Sequence, residues 1–69
     1  MEMQFSINKK LLRYLMEDIS NNNLPISCTT GKTTKESDTY MIDVKFEFLD
    51  DDKPVFNELL ERTINENML

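Results

Sequence analysis

Gly31-Lys32-Thr33 ends the way a phosphate-binding loop ends, where a lysine and a hydroxyl residue follow a glycine turn whose backbone N–H groups cradle phosphates. Such a loop needs a second glycine five residues before Gly31. Ile26 stands there, and the remaining chain is too short for a parallel nucleotide-binding sheet. Cys28 could act as a nucleophile only with a base beside it. The chain has no histidine, and the alternating apolar context of Cys28 reads as a small core residue. Asp50, Asp51 and Asp52 are hard-cation ligands by type, yet a calcium loop spreads its ligands over about a dozen residues around a glycine turn, and this stretch has none. The three read instead as an acidic entry to a helix. One cysteine without histidine also cannot furnish the four ligands of a structural zinc site. The expectation is a non-enzymatic protein without cofactor or metal.

What remains is charge. The 69 residues carry a net charge of −5, unevenly spread. Residues 1–35 hold five basic and three acidic side chains, net +2, whereas residues 36–69 hold three basic and ten acidic ones, net −7. Asp43, Glu47, Asp50, Asp51, Asp52 and Glu58 form the candidate protein-binding surface, presenting to a basic protein the kind of charge it meets on phosphates. The competing reading is a surface that only solubilises. Lys9, Lys10 and Arg13, with Tyr14 adjacent, are the alternative site, a basic helix start able to contact nucleic-acid phosphates. The negative total makes sequence-independent binding to nucleic acid or to an anionic membrane the weaker expectation. A lone cysteine, no secretory leader and no apolar run long enough to span a bilayer fit a soluble cytoplasmic protein.

The strongest structural signal is Thr39 to Leu49. Tyr40, Ile42, Val44, Phe46 and Phe48 alternate with Asp43, Lys45 and Glu47, the pattern of a strand with one buried face and one wet face. Met1, Met3, Phe5 and Ile7 alternate likewise and predict a short N-terminal strand. After Ser6 and Asn8, both good N-caps, Leu11, Leu12, Leu15, Met16 and Ile19 mark the apolar stripe of a helix to about Ser20. Its charges oppose the helix dipole, with Lys9 and Lys10 in the first turn and Glu17 and Asp18 near the end. Asn21-Asn22-Asn23 and Pro25 stop it. Leu24, Ile26, Cys28 and Thr30 continue the alternation into a poorer, threonine-rich strand reaching Thr34, with Pro25 suiting an edge. Lys35 to Asp38 is expected to form a loose, mobile hairpin loop. Pro54 opens a last helix whose stripe is Phe56, Leu59, Leu60, Thr63, Ile64 and Met68, with Glu58 and Arg62 an i, i+4 pair outside.

The order strand, helix, strand, strand, helix predicts a small single α+β domain over residues 1–69. The expected architecture is a three-stranded, mostly antiparallel sheet with the Thr39–Leu49 strand in the centre and both helices packed on one face. So small a core and two open strand edges make a homodimer the expected state. In size, in its Asn-, Lys-, Glu- and Ile-rich composition and in its strand-and-helix ending, the chain resembles the small proteins carried by phages and conjugative elements of AT-rich bacteria. That resemblance implies a regulator or inhibitor of a host protein, including enzymes that handle nucleic acid.

Overall fold

The computed structural model describes residues 1–67. In chain order the elements are β1 (Glu2–Asn8), α1 (Lys9–Asn21), β2 (Ser27–Glu36), β3 (Thr39–Glu47), a single 3-10 turn (Asp50–Asp52) and α2 (Lys53–Asn67). The sheet order is β1-β3-β2, and β3 runs antiparallel to both neighbours. This is the expected βαββα arrangement, with the most apolar strand in the middle.

The period-2 pattern of β3 sets the register. Ile42, Val44, Phe46 and Phe48 are buried, while Asp43 and Glu47 are exposed on the opposite face. Phe46 has no exposed surface. Its ring meets Phe5 of β1 at 5.7 Å and Phe56 of α2 at 5.0 Å, and Phe56 also meets Phe48 at 4.9 Å. These offset and tilted contacts add about 0.5–1.5 kcal/mol per pair beyond the area they bury. Tyr40 corrects the pattern: it belongs to the same alternation but is 51% exposed, because the helical cover begins only at Ile42.

Helix α1 starts where Asn8 Oδ1 accepts the Lys10 backbone N–H at 2.8 Å, an N-cap that satisfies one of the free donors of the first turn. Leu11, Leu12, Leu15 and Ile19 are buried, but Met16 of the expected stripe is exposed. The helix ends in a Schellman motif. The Leu24 N–H donates to Ile19 O and the Asn23 N–H to Ser20 O. Asn23 takes a positive φ of 52 degrees, a conformation asparagine tolerates. Asn22 adds its side-chain amide to Asp18 O at 2.7 Å. Pro25 then sits at the centre of a three-residue turn closed by the Ile26 N–H on Leu24 O at 2.8 Å, a geometry its fixed φ favours.

Strand β2 therefore begins at Ser27, later than its alternation suggests, and runs on to Glu36. It contains a bulge: Thr30 pairs with Val44 but Thr33 pairs with Ile42, leaving Gly31 and Lys32 against Asp43. Beyond that extra residue the helix-side face passes from Cys28 and Thr30 to Thr33 and Lys35, so a single alternation does not run the length of the strand. The connection to β3 is also tighter than expected. Glu36 pairs with Thr39, which leaves Ser37-Asp38 as a two-residue turn with Ser37 at positive φ, as tight hairpin turns require.

Helix α2 follows the acidic turn, with Pro54 in its first turn, where no intrahelical donor is lost. Phe56, Leu59 and Thr63 are buried and Leu60 is half-buried, but Ile64 of the expected stripe is exposed; Met68 lies outside the described residues. Thr63 is wholly buried and donates its hydroxyl to Asp18 Oδ2 at 2.8 Å, which ties α2 to the end of α1. Both helices lie on one face, but neither reaches over β2, whose residues other than Cys28 are all exposed.

Replacing Phe46 by alanine should lower the unfolding free energy by about 3–5 kcal/mol, and Glu47→Ala should change it by less than about 0.5 kcal/mol. Thr63→Val keeps the side chain's shape while depriving Asp18 of its donor, and should cost about 1–2 kcal/mol. Urea denaturation of the three variants checks the ranking; equal effects at Phe46 and Glu47 would contradict the register.

Candidate interaction surfaces

Of the motifs that suggested chemistry, Gly31-Lys32-Thr33 forms the bulge of an edge strand. A phosphate-binding loop needs a turn leading from a strand into a helix. Cys28 is half-buried beside the core, and that burial raises its thiol pKa above the ordinary value, the opposite of what an activated nucleophile requires. Asp50, Asp51 and Asp52 occupy the turn leading into α2, where negative charge suits the positive end of the helix dipole. Asp50 and Asp51 are exposed, and Asp52 is half-buried with its N–H on Leu49 O at 2.9 Å.

The six acidic candidates are distributed over three places. Glu47, Asp50, Asp51 and Asp52 gather at one end of the sheet, where β3 leaves and β1 begins, and Glu2 joins them because it pairs with Glu47. Within this tip the terminal ammonium donates to Phe48 O at 2.7 Å and lies 3.5 Å from Asp50 Oδ1. Lys45 approaches Glu47 at 3.2 Å. Leu49 is 67% exposed and lines a depression of the tip with Met1, Glu2, Pro25 and Glu47. Asp43 is separate, lying on the outer sheet face with its carboxylate accepting the Ser6 hydroxyl at 2.6 Å. Glu58 lies in the helical layer, lining a shallow cleft with Asn22, Val55 and Arg62 between the end of α1 and α2. The tip thus sets several carboxylates beside an exposed apolar side chain, and Asp43 and Glu58 stand apart from it.

Lys9, Lys10 and Arg13 are brought together at the other end. They line a groove of about 640 Å³ between the start of α1 and the start of β3, floored by Leu12, Met16 and Tyr40. Lys35 Nζ sits 5.7 Å from the centroid of the Tyr40 ring, within cation–π range. Asp38 lines the groove as well. Sequence reasoning located the cations but missed Tyr40, Met16 and Lys35. The first two sit at apolar positions of regular patterns, and Lys35 comes over Tyr40 only through the bulge and the tight hairpin.

Because burial holds the Cys28 thiol above its ordinary pKa, less thiolate exists near neutral pH than in an unfolded chain. Its reaction with a disulfide reagent such as DTNB should be slower in the folded protein than in denaturant at the same pH. The sign for stability follows: the folded state keeps the thiol proton longer, so this group's contribution is full below the ordinary thiol value and is lost as pH rises through the raised one. A folded-state rate equal to that in denaturant would contradict the burial.

No family model matches the chain, and neither a curated protein nor a solved structure matches it.

Proposed function

We propose that the chain is a small non-enzymatic interaction module that binds a basic, nucleic-acid-handling protein through its acidic tip and so regulates or inhibits it. The observation that carries this reading is the tip itself: Leu49, the most exposed large apolar side chain of the described residues, lines a depression with Glu2 and Glu47 and is followed in the chain by the exposed Asp50 and Asp51. Carboxylates accelerate encounter with a cationic surface and set its orientation, whereas binding energy comes mainly from a few desolvated apolar or aromatic anchors. Charge beside one apolar anchor provides both parts. The resemblance of the chain to the small proteins of mobile elements supports the role of regulator.

Replacing Asp50 and Asp51 together by lysine should slow association with a basic partner captured from host lysate about tenfold at low salt and flatten its salt dependence, while Leu49→Ala should chiefly speed dissociation. Lys10→Glu should leave that partner's binding unchanged. Surface plasmon resonance at two salt concentrations measures all three. If the Lys10→Glu variant loses binding and the aspartate variant gains it, with duplex or single-stranded nucleic acid as the ligand, the basic end is the working surface and this proposal is wrong.

A further inference from the structure

We propose that the groove beside Tyr40 receives the acidic tip of a second copy of this chain, so that molecules associate head to tail. The two surfaces complement each other in charge and in polarity. The groove offers Lys9, Lys10 and Arg13 beside an apolar floor, and the tip offers Glu2 and Glu47 beside Leu49 with the exposed Asp50 and Asp51 next in the chain. A molecule cannot satisfy its own groove. Met41 pairs with Asn8 at the groove end and Glu47 with Glu2 at the tip end, and at about 3.3 Å per residue the two sites lie about 20 Å apart along β3.

Other occupants fit less well. The phosphates of a duplex would match the groove's cations but leave its apolar floor of Leu12, Met16 and Tyr40 uncovered, whereas the tip brings Leu49 to it. A twofold dimer through the β2 edge would have to pair across the bulge at Gly31-Lys32, and a bulge and an edge lysine both discourage strand addition. The head-to-tail contact is heterologous, so each added copy leaves one groove and one tip free. Its area is small and its rim charged, so it is weak and sensitive to salt. Self-association of this kind requires no other molecule and is independent of the foreign partner proposed above, although such a partner would compete for the tip.

The test uses one variant disabled at each surface, Leu49→Asn at the tip and Arg13→Glu at the groove. Both positions are exposed, so the fold should be kept, as circular dichroism and thermal melting check; Leu49→Ser and Arg13→Gln replace either variant that melts early. By sedimentation equilibrium the wild type should grow in mass with concentration at low salt and return to monomer at high salt. Each variant alone should remain monomeric. Their equimolar mixture should form dimers and nothing larger, because one partner retains an intact groove and the other an intact tip. A wild type that stays monomeric throughout overturns the proposal. So does a mixture that stays monomeric while the wild type associates, since that is the behaviour of a twofold contact. Binding of a single-stranded oligonucleotide that Arg13→Glu abolishes while self-association persists would assign the groove to nucleic acid and also overturn it.

Discussion

The structure depends on the enclosure of Phe46. Its ring has no contact with water and lies against Phe5 from the neighbouring strand and Phe56 from the last helix, so three elements far apart in sequence must be in place before it is covered. Most of the remaining architecture serves that enclosure. The central position of β3 gives it a hydrogen-bonded neighbour on both sides, and the 3-10 turn after Leu49 sends α2 back so that Phe56 also reaches Phe48. Where the two helices meet, the contact is finished by a polar bond from Thr63 to Asp18, which lets a wholly buried hydroxyl satisfy its donor at the edge of the core.

The parts of the fold that follow from periodicity were legible in the sequence. Ile42, Val44, Phe46 and Phe48 at every second position, and Leu11, Leu12, Leu15 and Ile19 at helical spacing, each have one arrangement that buries them together. Features decided by a single residue were not legible. An inserted residue at Gly31 leaves threonines on both sides of the bulge, so the change of face has no signature in hydrophobicity. Ser37 adopts a positive φ that serine does not advertise, hence the expected loose loop is a two-residue turn. The candidate surfaces divide in the same way. Residue types identified the acidic and basic groups, but only the fold separates Asp43 and Glu58 from the tip and gathers Tyr40 with Lys9, Lys10 and Arg13.

The unfavourable charges of α1 belong to this balance. Lys9 and Lys10 in the first turn cost a few tenths of a kcal/mol each against the helix dipole. Asp18, near the opposite end, is adverse to the same dipole yet receives the Thr63 hydroxyl, which offsets the cost locally. Lys9 and Lys10 have no such compensation among the described residues; both are exposed and line the groove. A locally unfavourable placement without a local remedy draws attention to what lies beyond the molecule's own packing.

Why apolar groups stand bare at both ends follows from lengths and register. At strand rise the chain from Tyr40 to Leu49 spans about 30 Å. Helix α1 has 13 residues and α2 has 15 residues. At helical rise these are about 20 Å and about 22 Å long. A helix shorter than the strand beneath it, set at any angle to that strand, covers the middle and leaves the ends. Residues 42–48 carry the core positions under this cover, and Tyr40 lies just past it, whereas Leu49 shares the odd positions of Asp43 and Glu47 and so falls outside the helix-facing set. Helix length therefore bares Tyr40 at one end and strand register bares Leu49 at the other. The flanking sequence charges the two ends oppositely, basic where α1 starts and acidic where α2 starts. The electrical lopsidedness of the chain in sequence thereby becomes a separation of charge along the central strand, with an exposed apolar side chain at each pole.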